Sequence, residues 1–275
     1  MEKMPSRDTR EELPQSGRLR LSRVIRQAGD TVRVADAARA LGLPRLQAAK
    51  ALAAWAKQGW LRRVGRGVYV PVELELLGTE HAVADPWVLV PALFGPAYIG
   101  GRTAAEHWDL TEQIFRDILV FTAKPIRERE TETGGALFTL RHIPEARMFG
   151  TKSVWRGQTR VAISDIDRTI LDMLDDPSAG GGIHHVADCL DQYLRKPESS
   201  IDQLISYADH LGNGAVFKRL GFLAERHPLG SELVAACKSR LTTGYAKLDP
   251  DLNCSRIVTR WKLRVPPDWL DKAAS

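Results

Sequence analysis

The residues from Thr31 to Val70 constrain the fold most, because their pattern predicts two short helices followed by a β-hairpin. The first helix is predicted from an apolar stripe with i, i+3, i+4, i+7 spacing, formed by Val34, Ala37, Ala38 and Leu41. Gly42-Leu43-Pro44 interrupts this pattern, since Gly tolerates a left-handed turn and Pro suits the first position of a new helix. The second predicted helix runs from about Pro44 to Gln58, and Gly59 ends it.

The second predicted helix has one face for the core and one for solvent. On a 100° wheel, the inner face comprises Leu46, Ala49, Leu52, Ala53 and Ala56. The outer face, which has no acidic side chain, comprises Gln47, Lys50, Ala51 and Ala54. Beyond Gly59, apolar residues alternate over 60–70 around a Gly-containing turn, a pattern typical of a β-hairpin. Helix, turn, helix and basic hairpin together predict a winged helix-turn-helix.

Charge placement favours DNA as the partner of this module. Residues 1–71 contain 15 Lys and Arg against 6 Asp and Glu, which leaves 24 against 28 for residues 72–275. A basic module attached to a mildly acidic remainder indicates a polyanion bound at one end of the chain. Two alternatives stay open, because a small α+β module can have a basic solvated face and some winged helices dock proteins.

Six side chains of the module are candidate contacts to double-stranded DNA: Arg45, Gln47, Lys50, Arg62, Arg63 and Arg66. Gln47 and Lys50 are expected to reach base edges in the major groove, Gln for adenine and Lys for guanine. Arg45 lies at the positive end of its helix, and the three hairpin arginines lie on the wing. These four are expected to bind phosphate or to probe the minor groove.

The remaining sequence predicts an α+β protein, in which a winged helix-turn-helix precedes a mixed α/β domain with a helical C-terminal part. The predicted divisions are a flexible arm at 1–17, the DNA-binding domain at 18–71 and the second domain at 85–270. A supporting helix is predicted from Leu21 to Ala28. No apolar run approaches the ~20 residues needed to span a bilayer, so membrane insertion is not expected. Three widely spaced cysteines and a polar N-terminus are consistent with a cytoplasmic protein.

Strands in the second domain are predicted at 114–122, 136–143, 152–155 and 159–163, and helices at 183–194, 201–211, 215–225 and 233–241. Asp85-Pro86 is expected to begin a short helix that continues to Phe94. Ser164 and Asp167 resemble a capping box at the start of a further helix. Residues Cys254 to Val265 are interpreted as one late strand. Pairing of this strand with the main sheet of the second domain is left open.

Four motifs suggest chemistry, and each has a simpler structural interpretation. Gly100-Gly101 lacks the spacing of a phosphate-binding loop, so a tight turn is expected. Asp165-Ile166-Asp167 resembles a metal-binding D-x-D pair, but helix capping accounts for both acids. His184, His185 and Asp188 do not form a complete metal site on one helix face. Glu106-His107 has no nucleophile nearby. The sequence therefore predicts no enzyme activity, no metal and no cofactor.

Several segments resemble the AbiEi-type antitoxins, which are transcriptional regulators of bacterial abortive-infection systems. The segments are "YIGGRTAAEHWDLTEQIFRDILVFT", "FGTKSVWRG", "ISDIDRTILDMLDDPSAGGGIHHVADCL", "LGNGAVFKRLGFLAE" and "VTRWKLRVP". The resemblance covers residues 18 to 268, and its best local mark is a D-R-T-x-L-D box. The box contains Asp167, Arg168, Thr169 and Asp172, which form either a structural ion-pair cluster or a functional surface.

The resemblance implies a transcriptional repressor of its own operon that is also the antitoxin of a type IV toxin–antitoxin pair with a role in phage defence. The implied operator is a set of inverted repeats in the promoter. The implied functional partner is a nucleotidyltransferase-type toxin, opposed without a stable complex. Two rival classes remain: an effector-responsive winged-helix repressor without a toxin partner, and a DNA-binding domain fused to a degenerate nuclease or nucleotidyltransferase.

Overall fold

The computed structural model of the chain describes residues 17–72 and 83–271. Its internal contacts divide the chain into two units. Among these residues, unit 1 comprises 17–72 with 157–159, and unit 2 comprises 83–156 with 160–271. Residues 1–16 of the predicted arm lie outside the described residues, whereas Gly17 is already helical. The mixed α/β character expected from the sequence is confirmed.

Unit 1 combines three helices with a small antiparallel sheet. In chain order its elements are α1 Gly17–Ala28, β1 Val32–Arg33, α2 Val34–Leu41, α3 Arg45–Lys57, β2 Leu61–Gly65 and β3 Val68–Pro71. The strand order is β1-β3-β2, so β3 pairs with both neighbours. Gly42 ends α2 in the left-handed region, at φ 63°, and its amide donates to the Arg39 carbonyl. The turn between α2 and α3 therefore forms where the sequence predicts it.

The core of unit 1 corrects the predicted orientation of α3. The buried residues of this helix are Ala48, Leu52 and Trp55, an i, i+4, i+7 stripe. Leu46, placed on the inner face by the wheel, is 70% exposed. Ala53 is exposed as well, whereas Ala51, placed outside, packs against the core. The prediction was wrong because it took Leu46 as an inward anchor and left out Trp55, the largest apolar side chain of the helix.

Unit 2 is built on a six-stranded mixed sheet. Its strands are β4 Ala97–Ile99, β5 Asp117–Thr122, β6 Glu130–Thr133, β7 Ala136–His142, β8 Thr151–Arg156 and β9 Thr159–Ser164, in the order β6-β7-β5-β4-β9-β8. β5 runs parallel to β7 and antiparallel to β4. Its run from Ile118 to Phe121 is fully buried, as expected for a strand covered on both faces. The predicted strand at 114–122 is shorter by three residues, and β6 was not predicted.

Helices cover this sheet and continue beyond it. They are α4 Val90–Leu93, α5 Gly101–His107, α6 Ile166–Asp175, α7 Ile183–Arg195, α8 Ile201–Leu211, α9 Gly214–Ala224, α10 Ser231–Lys238 and α11 Asp268–Asp271. Every residue of α6 from Ile166 to Leu174 is buried, and α6 packs against α5, α7, α8 and α9. It is therefore the central helix of unit 2. None of the helices in the described ranges is long and apolar enough to cross a bilayer.

The segment predicted as one late strand forms part of a second, three-stranded sheet. Its strands are β10 Ala246–Lys247, β11 Arg256–Val258 and β12 Leu263–Val265, in the order β10-β12-β11. A 3₁₀ turn over Thr259–Trp261 separates β11 from β12. Trp261 is fully buried against Gly221 of α9, which fixes this turn in the core. The segment from Cys254 to Val265 does not join the six-stranded sheet. Trp261, near the middle of the segment, is buried in the core and interrupts the strand there.

Candidate nucleic-acid interface

The exposed face of α3 is the first part of the candidate interface. Opposite its buried stripe lie Leu46, Lys50, Ala53 and Lys57, all exposed. Gln47 is exposed too, but it lies toward one edge of this face rather than at its centre. The first turn contains no acidic residue, and Pro44 at the N-cap offers no capping side chain. The structure therefore presents Lys50 centrally, with small residues beside it.

The hairpin formed by β2 and β3 is the second part. Arg63 and Arg66 are exposed, while Arg62 is half-buried. Arg63 Nε donates a hydrogen bond of 3.1 Å to the Gly65 carbonyl, beside an irregularity in the β2–β3 pairing. Gly67 has φ 72°, which allows the tight turn that follows Arg66. Arg63 and Arg66 are thus available to a ligand, and Arg62 is available only in part.

Charge makes unit 1 a candidate for binding a polyanion. Its described residues 17–72 contain 12 Lys and Arg against Asp30 and Asp36. Asp36 is already engaged by Arg33 Nε at 3.3 Å and lies 3.9 Å from Arg39 Nη1. The exposed face of α3 and the hairpin contain no acid that would neutralise Lys50, Arg63 or Arg66.

The D-R-T-x-L-D box is buried inside unit 2. It lies on α6, and its members are at most 7% exposed: Asp167, Arg168, Thr169 and Asp172. Arg168 Nε donates to Asp172 Oδ1 at 2.8 Å, and Tyr98 Oη donates to the same oxygen at 3.1 Å. The Arg168 guanidinium also lies 4.2 Å from the centre of the Phe149 ring. The described geometry is that of a buried ion-pair network.

Burial and charge act in opposite directions within this network. Burial raises the pKa of the Asp172 carboxyl to about 6, against the opposing effect of the Arg168 charge. Burial alone would lower the pKa of Arg168, but Asp172 and Tyr98 outweigh it and the net direction is upward. Among the described residues, Arg168 Nη1 and Asp172 Oδ2 have no hydrogen-bond partner. Removing one partner would therefore leave a buried charge with little compensation.

The helix cap before the box differs from the predicted capping box. Asp165 is the N-cap of α6, and its Oδ1 accepts from the Arg168 amide at 2.8 Å. Ser164 Oγ instead lies 2.7 Å from Thr169 Oγ1. Asp167 accepts from Tyr193 Oη at 2.6 Å and from the Ser200 amide at 3.3 Å. One acid caps the helix as expected, and the other joins α6 to the end of α7.

The remaining sequence motifs are engaged in structural contacts. Gly101 has φ 53°, and a Cβ there would lie 2.5 Å from the Ala179 carbonyl oxygen, so this is a tight, crowded turn. His184 Nε2 lies 3.4 Å from Asp268, whereas His185 Nε2 contacts Thr111 at 2.8 Å. These two histidines therefore face different partners. In the part of the chain that the structure describes, no group of three potential ligands could hold a metal ion.

A cleft of about 1000 Å³ lies in unit 2 and was not predicted from the sequence. It is lined in part by Trp87, Glu106, His107, Phe115, Arg116 and Arg156. The Arg156 guanidinium stacks 4.3 Å from the Trp87 ring centre and lies 3.8 Å from Asp85. Burial, followed by the Arg156 charge, lowers the pKa of His107. The residues that line the cleft come from five separate segments of the chain, so no local sequence pattern could have indicated this cleft.

The chain was compared with solved structures and with models of protein families. The crystal structure of the RV2827C protein from Mycobacterium tuberculosis is similar, with a TM-score of 0.60 and 15% identity, over 90% of this chain and 91% of that chain. This likeness shows a shared fold. Residues 19–72 then match the family model described as "Transcriptional regulator, AbiEi antitoxin". The resemblance to AbiEi antitoxins is thereby confirmed for this segment. No curated protein matches the chain.

Proposed function

We propose that this chain is a DNA-binding transcriptional autorepressor and the antitoxin of a type IV toxin–antitoxin operon. Unit 1 is interpreted as a winged helix-turn-helix that binds inverted repeats in the operon's own promoter. The observation that carries this interpretation is the uncompensated basic surface formed by the exposed face of α3 and the β2–β3 hairpin. The family match over residues 19–72 supports a regulator or antitoxin role for the same segment.

In the proposed complex, α3 lies in the major groove and the hairpin lies beside the phosphate backbone. Lys50, at the centre of the exposed face, contacts guanine, and Gln47 contacts adenine from the edge of that face. Ala53 and Ala54 have short side chains and are exposed, so they allow close approach to the groove. Arg45, Arg63 and Arg66, with the half-buried Arg62, bind phosphate and fix the position of the helix.

In this proposal, unit 2 supplies the antitoxin function and is not an enzyme. The operon as a whole acts in defence against phage. The opposed toxin is of the nucleotidyltransferase type. Asp165 and Asp167 resemble the metal-binding acids of such enzymes in sequence only. In unit 2 their oxygens are engaged by the Arg168 amide, Tyr207, Tyr193 and the Ser200 amide. Those contacts support a structural role for both acids and favour a non-enzymatic unit 2.

A gel shift with variants of the hairpin tests the DNA-binding half. Purified full chain is titrated against the DNA upstream of its gene and against random DNA, at several salt concentrations. Arg63→Ala with Arg66→Ala is expected to weaken both interactions and to reduce the salt slope by about 1.8, since each phosphate contact contributes about 0.9. The matched control is Arg195→Ala, an exposed arginine of unit 2 that pairs with Asp191. An unchanged slope would contradict the hairpin assignment.

A second candidate function is an effector-responsive repressor without a toxin partner. The cleft in unit 2 favours it, because Trp87 and Phe115 offer aromatic surface next to charged Glu106 and Arg116. Co-expression with the neighbouring gene separates the two functions. Rescue from that gene's toxicity supports the antitoxin role. Absence of any toxicity, together with operator release by a small molecule, would support the effector-responsive repressor instead.

A further inference from the structure

The three-stranded sheet of unit 2 presents an unusual row of side chains. Residues paired across it in register are Lys247 with Arg264, and Arg264 with Ile257. Partners on adjacent strands lie about 4.7–4.9 Å apart in the hydrogen-bonding direction. Lys247, Arg264 and Ile257 therefore form a continuous row on one face, with the two cations side by side.

This face is exposed, while the opposite face belongs to the core. Arg264 is exposed between buried Leu263 and Val265, and Ile257 is 57% exposed. Tyr245 immediately precedes β10 and is 50% exposed, and Ala246, between Tyr245 and Lys247, packs against the core. We call Tyr245, Lys247, Ile257 and Arg264 the cationic sheet face.

The cations of this face have few internal partners. Among the described residues, the Arg264 side chain makes no hydrogen bond or ion pair, and Lys247 Nζ reaches only the Pro250 carbonyl, at 3.4 Å. The nearby Asp249 carboxylate is committed to the amides of Ile183 and Asp251. Lys247 and Arg264 lie side by side on parallel strands and repel each other, so this pair of cations favours an anionic partner. Unit 2 is otherwise mildly acidic, which makes this a local feature.

We propose that the cationic sheet face binds a single-stranded nucleic-acid segment. Lys247 and Arg264 neutralise successive phosphates, Tyr245 stacks on a base, and Ile257 packs against a sugar or a second base. Sequence-tolerant binding of single strands combines cations along the backbone with aromatic side chains under the bases. A duplex keeps its bases paired and stacked, so Tyr245 could not stack on a base without unpairing it. The chemistry therefore fits a single strand better than a duplex.

Fluorescence anisotropy of the full chain tests this proposal with labelled 12-nucleotide oligo(U), oligo(dT) and a duplex of operon-upstream DNA. Tyr245→Ala is expected to weaken single-strand binding by about 5- to 100-fold, the effect of losing one stacked base. Tyr245→Phe retains the ring and should bind as the parent does. Lys247→Ala with Arg264→Ala should lower the single-strand salt slope by about 1.4, since each contact contributes about 0.7. Comparing oligo(U) with oligo(dT) shows whether RNA or DNA is the source of the strand.

The control variants separate this site from unit 1. Arg63→Ala with Arg66→Ala should reduce duplex binding and leave single-strand binding unchanged, whereas the sheet variants should do the reverse. Single-strand binding that follows the hairpin arginines instead would overturn the proposal while preserving DNA binding by unit 1. Equal binding of poly-glutamate, or no effect of Tyr245→Ala in a variant whose circular dichroism is unchanged, would also overturn it.

Discussion

The buried pair of Arg168 and Asp172 gives the sharpest prediction about the D-R-T-x-L-D box. The two side chains are 2% and 3% exposed and meet at 2.8 Å. Removing one charge of a buried pair costs about 3–5 kcal/mol, because the other stays behind without compensation. Arg168→Met and Asp172→Asn, which largely conserve volume, should each lower the free energy of unfolding by that amount. The double variant should lose less than the sum, since neither charge remains.

Unit 2 contains a matched control with the same sequence spacing. Arg195 and Asp191 also lie four residues apart on one helix and meet at 2.9 Å, but their side chains are 58% and 38% exposed. Exposed pairs contribute about 0–1 kcal/mol. Arg195→Met should therefore have little effect. The comparison changes burial while keeping the substitution, the spacing of four residues and the kind of ion pair. The order is reversed, since the acid precedes the arginine in the control, but this affects an exposed pair by only a few tenths of a kcal/mol.

Urea unfolding of the full-length variants, followed by circular dichroism, measures these free energies. Hydrogen exchange of the α6 amides assigns the affected transition to unit 2. Two results would contradict this prediction. One is a loss from Arg168→Met no larger than that from Arg195→Met, and the other is simple addition of the Arg168→Met and Asp172→Asn losses in the double variant. Either result would mean that the box is not a coupled buried pair.

Three further predictions concern single side chains. Lys50→Ala should lower operator affinity more than Gln47→Ala does, because Lys50 lies at the centre of the exposed α3 face. Competition between the operator and random DNA measures the difference. If a variant loses equal affinity for the operator and for random DNA, the substituted side chain does not read bases. Leu46→Ala should weaken binding to the operator by about 1 kcal/mol, because exposed Leu46 is expected to pack against a thymine methyl and burying one such group contributes about 0.8 kcal/mol. Replacing thymine by deoxyuridine should abolish the difference between Leu46→Ala and the parent, and an undiminished difference would exclude the methyl contact. Glu225→Gln should cost about 0.5–1 kcal/mol at pH 7. Burial opposes the shift, but hydrogen bonds from Arg260 and Trp261 lower the pKa of Glu225. Its stabilisation is therefore present above the ordinary pKa of a glutamate and is lost as the pH falls through the lowered pKa. Urea midpoints at pH 7 and pH 3 test this, and a parallel loss at both pH values would contradict it.

Local patterns predicted α2, α3 and the hairpin of unit 1 well, because their turns depend on residues with strong backbone preferences. They did not predict β1, and α1 begins at Gly17 rather than at Leu21. The α2–α3 connection follows from Gly42 and Pro44, and α3 begins and ends within one residue of its predicted bounds. The orientation of α3 was not predicted correctly. An alanine-rich helix has several possible apolar stripes, and only contact with the core selects the one that contains Trp55.

Unit 2 was harder to predict because its key contacts join residues far apart in sequence. The Tyr98–Asp172 hydrogen bond spans 74 positions, so the sequence could not show whether the box is buried or exposed. The late segment was interpreted as one strand because its alternating apolar residues are compatible with that. Its interruption depends on the packing of Trp261 against Gly221, which no local pattern reveals.

The proposed function depends above all on recognition by unit 1 of the promoter of its own operon. The most direct measurement is the affinity of the full chain for the DNA upstream of its gene, relative to random DNA of equal length, over a salt titration. We expect selective binding that weakens with salt, with a slope that Arg63→Ala and Arg66→Ala reduce. Equal affinity for both DNAs, or none for either, would contradict it and would make unit 1 a non-specific anchor or a protein-docking module.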